Sequence, residues 1–439
     1  MWTEALYTAE EMKHAEAGHD VPTLMQRAGQ AVAEEALARF PDAASFGGVC
    51  GKGANGGDGR IALEVLRSAG RRADEGLDGD VLIDALFGTG FSGDPRPEAA
   101  GLIERMNGAG VPILAVDIPS GVDASTGEVP AAAVRAAATV TFHGRKVGLE
   151  VAPGRFLAGE VVLADIGLEA QETAHALITD EVIRLVPAKR DEDTKYTSGS
   201  VLVVGGSPGL TGAACLEATA AFRADAGYVA VAAPREALAV LETRLLEAVK
   251  RPLEDAFEAA ERASALALGP GLGREGGAQE LVRRLLEETA LPAVVDADGL
   301  FGLERFERTA PTVLTPHSGE LGRLIDRDSG WVDAHRLEAV RSAAERFRCV
   351  VLLKGADTLV AEPGAGVLVH GGSPAALATA GTGDVLTGVI AAFLAKGLDA
   401  RTAAAAGVAA HSRAAVLTGR SRGMVAGDVV EALPAALAA

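Results

Sequence analysis

The sequence predicts an α/β protein of two domains, each a parallel sheet with helices on both faces. Three observations carry this reading. The chain has 439 residues, too many for one ordinary hydrophobic core. Short apolar runs that end in glycine, asparagine or aspartate alternate with helical patterns along both halves, the rhythm of strand–helix–strand crossovers. Between them, Glu169 to Thr197 turns polar, passing through Pro187 and the charged run from Lys189 to Lys195, which reads as a connection. The expected division is 1–172 for the first domain, 173–198 for a linker and the start of the second, and 199–439 for the second.

Composition narrows the function classes. Hydrophobic residues make up 48% and charged residues 23%, so the chain is globular, and with aromatics at 4% its cores must be built from Ala, Val and Leu. The formal charge of −19 argues against nucleic acid or an anionic membrane as partner, so anionic small molecules must be held by local features. Cys50, Cys215 and Cys349 form no CxxC and no Cys/His cluster, which points to reduced thiols in a cytoplasmic protein without zinc. Met1 to Ala17 carries acids and lacks an apolar leader core, and no long uncharged apolar run follows, so neither export nor a membrane span is expected.

In the first half, Leu24 to Phe40 has helical spacing with an apolar side of Leu24, Ala28, Ala31, Val32 and Leu37. Phe46 to Cys50 reads as a strand, and Gly51 to Gly59 is a glycine loop opening a helix to about Ser68. This is the start of a dinucleotide-binding unit. The next stretch departs from that pattern: Arg71 to Asp80 is polar and acidic where a second buried strand is due. Strands follow at Asp80 to Leu86 and Pro112 to Val116, with a helix from Pro97 to Asn107 between them. Three strands therefore end in polar clusters, at Asn55 to Asp58, Asp84 to Asp94 and Asp117 to Ser120. In a parallel sheet these meet at the carboxyl edge, and their oxygens suit a hard cation, by donor type Mg²⁺, K⁺ or Na⁺.

Leu24-Met25-Gln26-Arg27-Ala28-Gly29, Asn55-Gly56-Gly57-Asp58-Gly59, Asp84 to Gly90, Asp117-Ile118-Pro119-Ser120-Gly121 and Lys146-x-Gly148-Leu149 resemble the NAD(P)H-hydrate epimerase family. The resemblance implies a Rossmann-like three-layer αβα domain that interconverts the R and S epimers of hydrated NADH and NADPH. It places Ala54, Asn55, Gly56, Gly57 and Asp58, the loop Gly88, Thr89, Gly90, Phe91, Ser92, Gly93 and Asp94, and Asp117 at the hydrated nucleotide. It gives Asn55, Asp84 and Ser120 to a potassium ion, and Asp117 is the acid/base candidate. Two departures stand out: Ala54 replaces the family's usual asparagine, and the segment 71–79 is shorter than usual.

In the second half, strands at Ser200 to Val204, Tyr228 to Ala232, Ala265 to Leu268, Ala293 to Val295, Val313 to Thr315 and Cys349 to Leu353 each run into polar or glycine-rich residues. The chemistry centres on Gly381-Thr382-Gly383-Asp384 before the apolar helix from Val385. Glycines at a helix N-terminus let the backbone approach an anion, and the free N–H groups and helix dipole favour one. A carboxylate there is unfavourable unless it has a task, and taking a proton from a hydroxyl that attacks a phosphoryl group is one. Alone, the stretch would read as a glycine turn with Asp384 as N-cap. Glu320 suits Mg²⁺ through water and Lys354 a nucleotide phosphate or base. No GxxxxGK[ST] occurs, which excludes a P-loop.

These features resemble the ribokinase-like superfamily. Gly205-Gly206-Ser207, Gly212-Ala213, Gly269 to Gly273, Asp296-Ala297-Asp298, Thr315-Pro316-His317 and Gly381 to Leu386 resemble its ADP-dependent NAD(P)H-hydrate dehydratases. The resemblance implies a ribokinase-like αβα domain with Ala213, Gly271, His317 and Asp384 at the hydrated nucleotide, and Lys354, Gly355, Ala356, Asp357, Thr358, Gly381, Thr382 and Gly383 at ADP with Mg²⁺. It implies phosphorylation of the C6 hydroxyl of the S epimer, then loss of phosphate. Small-molecule substrates and a homo-oligomer are expected. The alternatives are a vitamin or sugar kinase with an accessory N-terminal module, and a non-enzymatic nucleotide-sensing N-terminal half. Lys146 reads as a surface lysine or one near ligand phosphates, Asp296 and Asp298 as caps of a helix near Leu300, and the other seven histidines as structural or surface residues.

Overall fold

In the computed structural model, which describes residues 2–275 and 277–438, the N-terminal strands are β1 (Thr3–Tyr7), β2 (Ser45–Cys50), β3 (Arg72–Glu75), β4 (Val81–Ala85), β5 (Ile113–Val116), β6 (Ala138–Phe142), β7 (Arg145–Lys146) and β8 (Glu160–Ala164). Six of them form one sheet in the order β3-β2-β4-β5-β6-β8, and every pairing is parallel. The chain steps outward from β2 to β3 and returns to β4 on the other side of β2. This reversal opens a crevice at the carboxyl ends of β2 and β4, where such sheets bind ligands.

Burial follows the strand period and the helix faces. One core joins Leu24, Ala28 and Val32 of the Val21–Arg39 helix and Ala62, Leu63 and Leu66 of the Ala54–Ser68 helix to the sheet. A second, on the opposite face, gathers Ile103 and Met106 of the Pro97–Asn107 helix with Leu82 and Ile113. The acidic stretch after Arg71, expected to lack a strand, supplies the short edge strand β3, of which only Ala73 is buried. Its polar character fits an edge, where side chains face water. Asp80 closes the short return by accepting from the backbone N–H groups of Ala44 and Ser45 and from Ser45 Oγ, all at 2.9 Å. β1 pairs in parallel with β7 through Leu6↔Arg145 and Tyr7↔Lys146, which fixes the course of the chain at Lys146.

After β9 (His175–Ile178) come β10 (Ser200–Val204), β11 (Tyr228–Ala233), β12 (Val249–Pro252), β13 (Ala265–Leu268), β14 (Ala293–Val295), β15 (Thr312–Leu314), β16 (Val350–Leu353), β17 (Thr358–Ala361) and β18 (Leu368–His370). From β12 to β18 the order is β12-β11-β10-β13-β14-β15-β16-β17-β18, parallel as far as β16 and antiparallel thereafter. Again the order reverses, here between β10 and β13, so the loops after these two strands flank the second crevice. The strands have almost no exposed residues, as a sheet covered on both faces requires. The Thr382–Ala395 helix is buried along nearly its whole length and packs on the Thr211–Arg223 helix, where a side chain at Gly388 would run into the carbonyl of Glu217.

Contacts divide the chain into two units: Ala5–Ala176 with Asp333–Arg336, and Leu177–Val332 with Leu337–Ala439 and the first few residues. No helix among the described residues is long and apolar enough to cross a membrane.

Candidate active sites

In the N-terminal unit the loop after β2 passes directly into the Ala54–Ser68 helix. The turn is so tight that a Cβ on Gly56 would lie 1.9 Å from the carbonyl oxygen of Gly51, so only glycine fits. Asn55 donates through Nδ2 to the carbonyl of Phe87 at 2.8 Å, and Gly88 packs on the Asn55 side chain. The loop 88–94 is thereby drawn onto the residues 54–58, with Phe91 stacked on Phe87 and most of Thr89 to Asp94 open to solvent. Asp84, wholly buried at the end of β4, accepts from Ser120 N at 2.8 Å and Ser120 Oγ at 2.6 Å. Ser120 Oγ in turn accepts from Phe87 N. The three polar strand ends thus meet in one place.

Burial pushes the Asp84 carboxyl up to about 6, in spite of its bonds from Ser120. Among the described residues no lysine or arginine pairs with Asp84. Asn55, Asp84 and Ser120 are therefore an oxygen-bearing set around an uncompensated buried carboxylate, which fits a weakly hydrated hard cation such as potassium.

Asp117 follows β5 with φ of +68°, a left-handed conformation costly for most residues but tolerated by aspartate. Its Oδ1 is 2.6 Å from Lys146 Nζ and accepts from Thr141 Oγ1 at 3.3 Å. Of the two readings of Lys146, the surface one is corrected: the residue is fully buried, and Nζ also donates to Thr141 Oγ1 and to the Phe142 carbonyl, each at 2.9 Å. A lysine can be buried here because an aspartate and two neutral acceptors surround its ammonium. Asp58 is 8% exposed, and its Oδ1 is buried with no hydrogen-bond partner. Burial, then Asp117 and Glu16, push its carboxyl up to about 8. Glu16 is raised as well, by burial and by Asp117. Glu16 and Thr141 carry no sequence signal of their own, since both lie outside the glycine-rich loops, whereas Lys146 stands in the Lys-x-Gly-Leu motif.

In the C-terminal unit the loops after β10 and β13 are laced together. Ser207 N donates to the Gly271 carbonyl, Ser207 Oγ to that of Leu272, and Gly271 packs on Leu210 and Ala213. Ala213 and Gly271 are thus neighbours. The Thr382–Ala395 helix begins from Gly381, whose φ of +89° in the left-handed region needs glycine. The helix starts before Val385, so Asp384 is the third residue of its first turn and not its N-cap. Thr382 Oγ1 turns away, donating to the Leu377 and Thr379 carbonyls.

Lys354, at the end of β16, lies 2.6 Å from Asp296 Oδ1, and a Cβ on Gly383 would stand 3.4 Å from its Nζ. Asp296 Oδ2 accepts from Thr387 Oγ1 at 2.8 Å. Asp296 holds the N-cap position of the short helix Ala297–Leu300, as expected, and is at the same time the buried partner of Lys354. Asp298, by contrast, caps nothing: it accepts from Gly273 N at 3.0 Å and pairs with Arg274. Burial would raise Asp296, but Lys354 and the hydrogen bonds from Lys354 and Thr387 hold it below the usual range. Lys354 is raised by Asp296, Glu320 and Asp384 against the opposing effect of burial. Asp384 is pushed up to about 6 by burial and by Asp296, with Lys354 opposing.

His317 caps the Ser318–Leu324 helix: its Nδ1 accepts from Gly319 N at 3.0 Å, and its backbone N–H donates to Glu320 Oε2 at 2.9 Å. The ring remains more than half exposed, while Glu320 is buried with Oε1 3.4 Å from His317 Nε2. With both its oxygens turned toward His317, Glu320 fits a magnesium ion through water rather than directly. Gly355 and Ala356 are exposed at the turn from β16, and Asp357 and Thr358 are buried where β17 begins. Two further groups are buried near the glycine turn, Glu217, which no motif marks, and His411, one of the histidines read as structural or surface residues. Glu217, on the Thr211–Arg223 helix, has neither carboxyl oxygen hydrogen-bonded and is held well above the usual range by burial, Asp384 and Asp296. His411 is pushed down to about 4 by burial.

Comparisons with known proteins agree with this division. A family model described as NAD(P)H-hydrate dehydratase matches residues 201–434, and one described as YjeF-related protein N-terminus matches 21–77 and 69–148, two stretches that meet at the short β3 segment. The bifunctional NAD(P)H-hydrate repair enzyme of Moorella thermoacetica is 35% identical, covering 98% of this chain and 96% of its own, and that of Salinibacter ruber is 35% identical over 98% and 94%. The crystal structure of the ADP/ATP-dependent NAD(P)H-hydrate dehydratase from Bacillus subtilis, co-crystallised with ATP/Mg²⁺, superposes with a TM-score of 0.55 at 28% identity, over 59% of this chain and 96% of that one.

Proposed function

Since the chain belongs to the family of bifunctional NAD(P)H-hydrate repair enzymes, we propose that its two units act in sequence on hydrated nicotinamide coenzymes. The domain carrying β2–β8 interconverts the R and S epimers. The domain from about residue 199 dehydrates the S epimer at the expense of ADP, regenerating NADH or NADPH. The observation that carries the reading is Asp384 in the first turn of a glycine-led helix, beside a lysine already neutralised by a buried aspartate.

In the dehydratase the N–H groups around Gly381, Thr382 and Gly383 face the transferring phosphoryl group, with Lys354 at the phosphates and Gly355 to Thr358 along the nucleotide. Asp384 takes the proton of the C6 hydroxyl. A bond forms from that oxygen to phosphorus as the bond from phosphorus to the leaving nucleotide breaks. The phosphate then departs with its C6–O electron pair and takes the C5 proton as the ring double bond is restored, and Asp384 gives its proton up to solvent. Magnesium, held by the nucleotide with Glu320 through water, would offset the charge of the phosphates. Ala213, Gly271 and His317 border the hydrate. A carboxyl near 6 suits the base: it is ionised at neutral pH, yet a better proton acceptor than an ordinary aspartate.

In the epimerase, residues 54–58 and 88–94 hold the hydrate and Asp117 works at the carbon that inverts. Potassium at Asn55, Asp84 and Ser120 would compensate the buried charge of Asp84 and so fix the loop at Phe87. The kinase alternative is not favoured, because the family model that matches this half is the dehydratase. We also propose a cytoplasmic homo-oligomer, whose assembly light scattering would test. The decisive experiment supplies a mixture of R and S hydrates of NADH with Mg²⁺, with and without ADP, and follows both epimers chromatographically. Nucleotide-dependent loss of the S epimer, with the R epimer drawn down behind it, is expected; no nucleotide-dependent loss would overturn the reading.

A further inference from the structure

We propose that Asp58 is the proton donor of the epimerase, working with Asp117 as proton acceptor. The inference rests on the epimerase reading above and adds a catalytic role to a residue otherwise assigned only to binding.

Three observations carry it. Asp58 lies in the helix that opens at the β2/β4 crevice and is more than nine-tenths buried, yet its Oδ1 meets no hydrogen-bond partner in the protein. A buried polar atom left unpaired is costly and calls for a ligand or a role in the chemistry. Next, the two acids, close enough for Asp117 to act electrostatically on Asp58, are treated differently. Asp117 has an ammonium at 2.6 Å, whereas among the described residues Asp58 has none, and the charged groups that act on it, Asp117 and Glu16, are both acidic. Finally, that setting holds Asp58 protonated at neutral pH, with its carboxyl pushed to about 8 by burial, Asp117 and Glu16. A neutral acid beside a paired carboxylate is an acid and a base already assigned.

The chemistry of the hydrate needs both. Adding water to the ring puts the hydroxyl on the carbon bonded to the ring nitrogen, so C6 is a hemiaminal. Expelling water from C6 next to a carboxylate base would dehydrate the coenzyme outright, the outcome for which the C-terminal half spends a phosphoryl group. Opening the ring avoids it. Asp117 takes the hydroxyl proton, the C6–O bond becomes a carbonyl, the C6–N1 bond breaks with its electron pair to N1, and N1 takes the proton of Asp58. Rotation about C5–C6 offers the other face of the aldehyde. N1 then attacks C6 and returns its proton to Asp58, while the new hydroxyl recovers the proton held by Asp117. Both acids end as they began, and no co-reactant is consumed.

The test uses the full chain in potassium-containing buffer, with separated R hydrate of NADH as substrate, the spontaneous rate subtracted, and dehydration of the S hydrate with ADP and Mg²⁺ as an internal control of folding and of the second half. Asp58→Asn keeps size and hydrogen bonding and is expected to lower kcat for epimerisation at least about 100-fold with KM changed by less than about threefold. Asp58→Glu is expected to regain part of kcat. In the parent protein kcat should fall above about pH 8, and this limb should vanish in Asp58→Asn. Epimerisation in ¹⁸O-water should leave the hydroxyl unlabelled. An Asp58→Asn protein with unchanged kcat and raised KM would reduce Asp58 to a binding residue and overturn the inference, as would ¹⁸O entering with each turnover. A parent protein that does not convert R hydrate above the spontaneous rate would instead overturn the epimerase reading itself.

Discussion

Replacing Asp384 with asparagine isolates the base from the anion cradle. The residue is the third of its helix, so Gly381 keeps its left-handed turn and the N–H groups of Thr382 and Gly383 keep their aim. Its carboxyl, lifted to about 6 by burial and Asp296, is all but about 3% deprotonated at pH 7.5. Asparagine has the same shape and no basicity. A positioned general base contributes about 10²- to 10⁴-fold, about 2.7–5.4 kcal/mol of barrier, and kcat for nucleotide-dependent loss of the S hydrate should fall by that factor. KM for ADP should stay within about twofold, because in the proposed arrangement the phosphates meet Lys354 and backbone rather than Asp384. The parent protein supplies the second arm: log kcat should rise with unit slope toward about pH 6 and then level, since protonation of Asp384 removes the base. Loss of the S hydrate followed by chromatography at pH 5 to 8 measures both. A variant within about tenfold of the parent, or a flat profile through pH 6, would refute the assignment.

Asp117→Ala should leave dehydration of the S hydrate intact and reduce consumption of added R hydrate to its spontaneous conversion, read in the same chromatographic assay. Potassium should stabilise the N-terminal unit through Asp84: at about 100 times its dissociation constant a ligand adds about 2.7 kcal/mol, about 5–10 °C in thermal midpoint. A melt in potassium against tetramethylammonium chloride checks this, and Asp84→Asn should lose the difference. Glu217→Leu should stabilise the C-terminal unit by about 1–3 kcal/mol in urea titration, because it removes a wholly buried acid with no partner.

The legible parts of this chain were those with a local signature. Strand ends were found because a parallel sheet puts its glycines and acids where strands stop, and the glycine turn at 381–384 because a helix N-terminus without side chains has few other uses. Pairing was not legible. Nothing near Asp296 says that Lys354, 58 residues on, will neutralise it, so a strand-end acid reads as a cap. The burial of Lys146 is illegible for the same reason: the aspartate that allows it is 29 positions earlier and belongs to another strand. The strand β3 escaped notice because an edge strand can be polar on most of its residues, which removes the alternation by which strands are recognised.

Those two unforeseen pairs give the two sites a common logic. In each unit a lysine neutralises one aspartate at 2.6 Å, the buried Lys146 with Asp117 and the partly exposed Lys354 with Asp296, while a second aspartate close by has no cation of its own and is driven up, Asp58 to about 8 and Asp384 to about 6. The paired acids differ in their bonding: Asp117 meets Lys146 and Thr141 with the same oxygen, whereas both oxygens of Asp296 are spent, on Lys354 and Thr387. The unpaired acids differ in degree. At neutral pH a carboxyl near 8 carries a proton to give, as the breaking of a C–N bond requires, and one near 6 has lost it, as phosphorylation of a hydroxyl requires. The difference follows from what surrounds them: Asp58 faces two acids and no cation in contact, while Lys354 offsets part of the effect of Asp296 on Asp384. Moving Lys354 away from Asp384 should therefore raise the pH at which dehydration sets in, and Lys354→Met, assayed at saturating ADP, should shift the acidic limb of kcat upward. A limb that stays at about pH 6 would show that Lys354 has no part in setting the base.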